Sequence, residues 1–173
     1  MSPLTIRRYP DSVLRKRSDP VDRVSSTIEK LADQMIETLR WANGVGLAAP
    51  QVGELLRVAV IDPGVEDASK EPLCLVNPEI VERKGAQIAE EGCLSIPGIY
   101  EELERPAYVL VRGLGIHGTP VELEFRDILA RAVSHEIDHL DGILFIDRLS
   151  SIRRSLLKGK LKSLSRNSDL QNL

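Results

Sequence analysis

The sequence is organised around the segment Asp127-Ile-Leu-Ala-Arg-Ala-Val-Ser-His-Glu-Ile-Asp-His-Leu-Asp-Gly142. Its apolar residues recur at helical intervals, with Asp127 as the expected N-cap and Gly142 as the expected stop. At about 100° per residue, the imidazoles of His135 and His139 lie about 40° apart on the helix surface, one turn removed in height. They can therefore share one metal ion, and the adjacent Glu136 carboxylate can move the proton of a metal-bound water. The segment predicts a helix that carries metal chemistry.

Other segments predict the framework around this helix. Ser26-Thr-Ile-Glu29 has the spacing of a capping box, and the helical pattern that follows it ends at Asn43-Gly44. Four short runs are β-branched or alternating and are separated by Gly and Pro, which is typical of strands: 56–61, 74–81, 107–111 and 121–125. We expect an α+β fold, a single domain over residues 1–173, with mainly antiparallel strands around a central helix and with an N-terminal and a C-terminal helix.

Composition limits the classes of function. The 173 residues are 42% hydrophobic and 28% charged, which fits one compact domain. A net charge of −3 gives no general attraction to DNA or to an anionic membrane. The chain has no apolar run of about 18 residues, and its first residues lack the apolar core of a secretory signal. We therefore expect a cytoplasmic protein, in which Cys74 and Cys93 are thiols or ligands rather than a disulfide.

A catalytic metal site needs a third protein ligand beside the two histidines. The extended metzincin pattern would place a histidine at position 145, which is Phe145, and the thermolysin-like pattern needs a glutamate after Glu136, where none occurs. The remaining candidates are Asp147, His117, Cys74 and Cys93. Asp147 would give a metallopeptidase, whereas both cysteines with both histidines would close a structural zinc site.

The local context separates these candidates. His117-Gly118 resembles a hairpin turn, and Cys74 lies in an apolar strand, where a buried structural thiol is the ordinary case. Cys93 follows a glycine in the polar run Glu90-Glu-Gly-Cys-Leu-Ser-Ile-Pro97, which is a poor description of a core position. The run Gly44-Val-Gly-Leu-Ala-Ala-Pro-Gln51 also permits close backbone approach, and its terminal amide can donate to an oxyanion.

Three motifs together resemble the signature motifs of the peptide deformylases, in the same order and at similar separations. They are Gly44 to Gln51, Glu91-Gly-Cys-Leu-Ser95 and His135-Glu-Ile-Asp-His139, and the similarity continues through Leu140 to Phe145. The resemblance implies an enzyme that removes the formyl group from the N-terminal formylmethionine of nascent polypeptides and releases formate.

The resemblance also implies roles for individual residues. The implied metal ligands are Cys93, His135 and His139, and the implied general acid and base is Glu136. Gln51 and the backbone N–H of Leu94 are expected to receive the oxyanion. Fe²⁺ is the implied physiological ion, and isolated protein can contain Zn²⁺, Ni²⁺ or Co²⁺ instead because a Cys/His/His set accepts all four. Three residues are candidates to orient the ligands: Glu91, Asp138 and Arg105.

The substrate is expected to bind as an added strand. The resemblance implies that the backbones of Val45 and Gly92 hold this strand and that Gly46 adjoins the site. The methionine side chain is expected in an apolar pocket that includes Val45, Ile128 and Ala132. Arg131 departs from this pattern, because some family members carry an apolar residue at that point.

The C-terminal residues 152–173 differ in charge from the rest of the chain. They carry a net charge of +5 and leave −8 on residues 1–151. Leu157, Leu161 and Leu164 have the spacing of one buried helical stripe, so the cations are expected on the remaining faces of a basic helix and tail. A solvated face explains this pattern, and so does a contact with the ribosome from which the implied substrate emerges. Both alternatives stay open at this point.

Overall fold

The computed structural model describes residues 3–171, and the side chains of residues 3–166. The fold is α+β, and its order of elements is α1 (Ser26–Ala42), β1 (Gly46–Ala48), β2 (Val58–Ile61), β3 (Leu73–Lys84), β4 (Gln87–Cys93), β5 (Ile96–Arg105), β6 (Tyr108–Leu114), β7 (Pro120–Arg126), α2 (Asp127–Leu140) and α3 (Ser151–Gln171). The described part of the chain also has four short 3-10 helices, one before α1 and three between the later elements: Ser12–Arg15, Ala49–Val52, Pro63–Val65 and Phe145–Arg148. The predicted single domain over 1–173 includes residues 1–2 and 172–173, which lie outside the described residues.

The strands form two antiparallel sheets. One sheet has five strands in the order β1-β2-β3-β6-β7, and the other is the β4–β5 hairpin. The four predicted strands are confirmed, with β3 and β6 extending beyond their predicted ends. Strands β1, β4 and β5 were not predicted. Strands β4 and β5 each carry consecutive glutamates, and their pairing places Glu90 opposite Glu102 and Glu91 opposite Glu101.

Helix α2 is the central element. Every residue from Val133 to Leu140 is buried, so the helix has no solvent-facing side over its second half. Gly142 follows the helix at φ 74°, where a side chain is disfavoured, and the N–H of Ile143 donates to the carbonyl of Asp138. This pair of features forms a Schellman termination, which confirms the predicted stop.

Two predicted helix starts are wrong by one residue. Asp127 is the first helical residue, and the N-cap is Arg126, whose side chain makes no cap hydrogen bond. Strand β7 runs directly into α2, so the helix does not start from a loop. The Asp127 N–H donates to the Ala107 carbonyl. At α1 the N-cap is Ser25 rather than Ser26, again without a side-chain cap, so no capping box forms.

Helix α3 packs through the predicted leucine stripe. Leu157 and Leu161 are buried and Leu164 is half-buried, all against a core cluster that includes Ile99 and Leu103 of β5. The cations of this helix through residue 166 are exposed. Within residues 3–171, no helix is both long enough and apolar enough to cross a membrane.

Candidate active site

Three potential metal ligands converge between β4 and α2. Nε2 of His139 lies 3.2 Å from the Cys93 sulfur and also 3.2 Å from Nε2 of His135. All three ligand atoms lie within 4.8 Å of one another. Ligands about 2.0–2.3 Å from a tetrahedral ion lie about 3.3–3.6 Å apart, so the arrangement fits a small divalent cation. A thiolate with two imidazoles suits a first-row transition metal rather than Mg²⁺ or Ca²⁺.

The other candidate ligands lie elsewhere. Asp147 accepts a hydrogen bond from the backbone of Leu144 and pairs with Arg15. Cys74 lies on β3 among apolar side chains, where burial raises the pKa of its thiol to about 12. His117 is exposed in the β6–β7 turn, 3.2 Å from Glu29. None of these belongs to the ligand cluster found among the described residues, so the structure gives no support to the metallopeptidase or to the closed structural site.

A buried ionic network surrounds His135. The Glu91 carboxylate lies 2.6 Å from Nδ1 of His135 and accepts two hydrogen bonds from Arg105, at 2.7 and 3.1 Å. Arg105 also donates to Asp138 at 2.7 Å, and Arg148 donates to the same carboxylate. The three orienting candidates from the sequence are therefore all in contact. These contacts restrain the ring of His135 and leave its Nε2 on the side of the cluster.

The charges of this network set the titration of its members. Burial raises the pKa of Glu91, but hydrogen bonds from His135 and Arg105 outweigh it and hold that pKa far below its usual range. Burial lowers the pKa of His135, but the facing Cys93 and Glu91 raise it well above its ordinary value. Burial and the neighbouring His135 keep the pKa of His139 well below its ordinary value.

Glu136 is buried against the backbone of the Gly44–Gln51 run. A Cβ atom on Gly46 would lie 2.5 Å from its Oε1, and Oε2 has no hydrogen-bond partner among the described residues. Burial raises the pKa of Glu136 to about 7, and the nearby Glu91 and Asp138 act in the same direction. A carboxyl poised near neutrality beside a ligand cluster is suited to both accepting and returning a proton.

Gln51 is fixed so that its amide nitrogen faces the cluster. Its Oε1 accepts a hydrogen bond of 2.8 Å from the Ala48 N–H, and its Nε2 lies 3.2 Å from the Ser95 hydroxyl and 3.6 Å from the Cys93 sulfur. The anchored carbonyl end leaves the donor end directed at the metal ligands. Leu94 follows Cys93 at the turn between β4 and β5, where Cys93 pairs with Ile96.

A cleft of about 1410 Å³ opens beside these groups, larger than the site of a typical small molecule. Every residue predicted to touch substrate lines it: Val45, Gly46, Gly92, Ile128 and Ala132. Two exposed aromatic residues, Trp41 and Tyr100, also line the cleft and were not predicted. Tyr100 packs against Gly92, where a Cβ atom would lie 2.5 Å from its ring. Gly92 lies on β4 and Tyr100 on β5, so the contact crosses the hairpin turn and leaves no local pattern in the sequence.

Comparison with known proteins identifies the family. The sequence model for Polypeptide deformylase matches residues 3–155. The chain belongs to the polypeptide deformylase family. It is 46% identical to a peptide deformylase of Thermodesulfovibrio yellowstonii over 163 residues, covering 94% of this chain and 99% of the relative. It is 48% identical to one of Alkalilimnicola ehrlichii over 166 residues, covering 96% and 93%.

A solved structure carries the same fold as this deformylase family member. The crystal structure of a peptide deformylase from Legionella pneumophila superposes with a TM-score of 0.88 at 42% identity and covers 97% of this chain and 98% of the other. The predicted α+β class and the predicted membership of the peptide deformylases are therefore confirmed. Deformylases are metal-dependent hydrolases, in agreement with the Cys/His/His cluster.

Proposed function

We propose that this chain hydrolyses the formyl group from the N-terminal formylmethionine of nascent polypeptides, at a metal ion held by Cys93, His135 and His139. The observation that carries the proposal is the convergence of these three ligand atoms within 4.8 Å, beside Glu136 and at the wall of a large cleft. The family already implies hydrolysis of a formyl amide, and the geometry supports this distribution of roles.

The bound ion is proposed to be Fe²⁺ in the cell, with Zn²⁺, Ni²⁺ or Co²⁺ in isolated protein. A divalent ion in this position lowers the pKa of water toward neutrality and polarises a carbonyl oxygen. The protein contributes a fixed ligand set, because His135 is held by Glu91 and both histidines lie on the rigid, buried part of α2.

Glu136 is proposed as the general base and then the general acid. Its carboxylate accepts the proton of the attacking water and returns it to the departing amine, which breaks the C–N bond and leaves formate and a free N-terminus. Its pKa of about 7 allows both directions of transfer near neutral pH. The absence of a side chain on Gly46 is what lets the carboxylate reach this position.

Gln51 and the Leu94 N–H are proposed to stabilise the oxyanion. Negative charge develops on the formyl oxygen during attack, and donors fixed in advance bind that oxygen more strongly than the neutral amide. The Gln51 amide is fixed through Ala48, and Leu94 is fixed by its place in a tight hairpin turn beside Cys93.

The substrate is proposed to lie between β1 and β4 as an added strand. Strand β1 pairs only with β2 and β4 only with β5 among the described strands, so each presents an edge toward the cleft through Val45 and Gly92. The methionine side chain occupies the apolar surface of Val45, Ile128 and Ala132. Because a formyl group is small, a narrow reaction centre accepts it and rejects internal peptide bonds.

The C-terminal helix is proposed to contact the ribosome, which places the enzyme in the cytoplasm beside its substrate. The support is that Lys158, Lys160 and Lys162 are exposed on a helix that is anchored by Leu157 and Leu161. Phosphates are the natural partners of such lysines.

A direct assay tests the activity. We expect formate release from formyl-Met-Ala-Ser that stops after a chelator removes the metal and returns when Fe²⁺ or Co²⁺ is added. Cleavage of internal bonds in an unformylated peptide, without formate release, would contradict the proposal and favour a peptidase.

A further inference from the structure

Arg131 lines the cleft beside Ile128 and Ala132, and its guanidinium reaches across to the β4–β5 hairpin. Its Nη1 donates to Glu91 at 2.8 Å, and its Nη2 donates to the backbone carbonyls of Leu103 and Gln87 at 3.1 and 3.3 Å. The side chain is only 8% exposed. All three acceptors belong to the hairpin and none to its own helix, so Arg131 is a link between two elements.

This link matters because the proposed ligands are divided between the same two elements. Cys93 lies on the hairpin, two residues after Glu91, whereas His135 and His139 lie on α2. The hairpin pairs with no strand of the five-stranded sheet in the described structure, so no backbone ladder sets its distance from α2. Side-chain contacts between the two elements therefore help to set it.

Two such contacts lie on either side of His135. Arg131 is one helical turn before His135 and holds Glu91, and Asp138 is three residues after it and accepts from Arg105 of the hairpin. Glu91 therefore accepts hydrogen bonds from Arg105 of its own hairpin and from Arg131 of the helix. Its Oε1 also lies against Nδ1 of His135. Without Arg131, one carboxylate oxygen loses its contact with the helix and a buried negative charge loses one of two balancing guanidinium groups.

We propose that Arg131 is a positioning residue of the metal centre: it holds Glu91, and through Glu91 the ring of His135, and it sets the distance between the strand that carries Cys93 and the helix that carries the two histidines. The inference rests on the proposed ligand set. In the sequence, Arg131 stands out only as a charge where some family members carry an apolar residue, and its hydrogen bonds to the hairpin give that charge a role.

The test measures metal affinity in the purified full chain, by competition of a chelator for Co²⁺, together with the visible absorption of the Co²⁺-loaded protein. In Arg131→Met we expect affinity about 10- to 100-fold weaker than in the parent, with an altered Co²⁺ spectrum. Arg131→Lys retains a charge that can reach Glu91 but not all three acceptors, so it should give an intermediate loss. This milder variant also gives the answer if Arg131→Met does not fold.

Arg57→Met is the matched control. Arg57 is also a poorly exposed arginine that holds α2, through Asp141 at 2.8 Å and the Leu140 carbonyl at 3.4 Å, but it does not touch Glu91. It should lower the melting temperature while leaving Co²⁺ affinity and the spectrum unchanged. If both arginine variants weaken the metal equally, Arg131 acts through general stability and the proposal is overturned.

A double-mutant cycle with Glu91→Gln completes the test. Because Arg131 is proposed to act through Glu91, its replacement should have a much smaller effect on affinity in the Glu91→Gln background than in the parent. Additive losses, or an unchanged affinity in folded Arg131→Met, would overturn the positioning role. A parent chain that binds no Co²⁺ would instead overturn the ligand assignment on which the role depends, and Cys93→Ala as a non-binding reference separates these two failures.

Discussion

A Cβ atom on Gly46 would lie 2.5 Å from Oε1 of Glu136, so these two residues occupy space that only a glycine leaves free. Real side-chain carbons do not approach an oxygen this closely, and Cγ and Cδ of the buried Glu136 would lie 2.8 and 2.9 Å from the same added atom, so the whole side chain would have to shift. Glu136, the proposed proton carrier, can therefore occupy its position only because Gly46 of β1 has no side chain.

Gly46→Ala should move Glu136 and lower kcat by about 100-fold, the scale of losing a placed general base. Metal content should stay at one ion per chain, because the ligands are not displaced. Formate release and metal analysis on the same sample measure both. Gly159→Ala is the control, since no atom lies within 4 Å of its added Cβ and its helix should be slightly stabilised. Normal turnover in Gly46→Ala would show that Glu136 is not confined by this contact.

Glu136→Gln should retain the metal and lose activity by about 100-fold or more, because the amide keeps the shape of the side chain and cannot accept the proton. The measurement is formate release at saturating formyl-peptide, paired with metal stoichiometry. Activity within a few-fold of the parent would remove Glu136 from the proposed mechanism.

The same variant makes a prediction about stability and pH in the metal-free protein. Burial raises the pKa of Glu136 from 4.5 to about 7, so the folded chain holds this proton more tightly than the unfolded chain. The resulting stabilisation is full below about pH 4.5 and is lost as the pH rises through 7. Glutamine resembles the protonated carboxyl at every pH. Metal-free Glu136→Gln should therefore melt several °C higher than the parent at pH 8, with the difference closing toward pH 5 in thermal scans.

How much of this site can be predicted from the sequence depends on how far apart its residues lie along the chain. His135, Glu136 and His139 lie within five residues of one strongly periodic helix, so local spacing is enough to place them together. Cys93 comes from another strand, and only the exclusion of other ligands and the family motifs favoured it. The structure brings it to 3.2 Å from His139.

The parts that sequence reasoning missed depend on long-range partners. Strands β4 and β5 carry glutamates at facing positions, which looks unfavourable until Glu91 meets Arg131 and Arg105, and Glu101 meets Arg153 of α3. Arg131 and Glu91 are 40 residues apart, and nothing local in either segment shows that they meet. The helix starts at Ser26 and Asp127 were each misplaced by one residue because neither N-cap, Ser25 or Arg126, makes the side-chain cap hydrogen bond that the sequence pattern looks for.

Gln51→Leu should lower kcat by about 100-fold while changing KM little, because the amide is proposed to strengthen its interaction only as the oxyanion forms. Steady-state kinetics on the metal-loaded variant separate the two constants. The Ala48 and Ser95 contacts are also lost, so a melting curve must accompany the kinetics. A lower melting temperature with normal kcat would make Gln51 a structural residue of the loop.

The exposed lysines of α3 give the last prediction. Lys158, Lys160 and Lys162 are exposed, whereas Leu157 and Leu161 of the same helix are buried, so replacing the three lysines by glutamate should leave the packing of the helix intact. Hydrolysis of a free formyl-peptide should be unaltered, because these lysines do not line the cleft. Co-sedimentation with ribosomes at low salt should be lost.

Salt dependence and a charge-matched variant distinguish a specific contact from general electrostatics. Binding of the parent should fall steeply with added salt, since each neutralised phosphate releases a counterion. Changing Lys30, Lys70 and Arg83 to glutamate alters the net charge by the same amount on other exposed surfaces, and this variant should still co-sediment. If both triple variants lose co-sedimentation equally, ribosome binding depends on net charge and not on the lysines of α3. A parent that does not co-sediment at all would leave the helix as a solvated surface, held to the body by its leucines and by the pairing of Arg153 with Glu101.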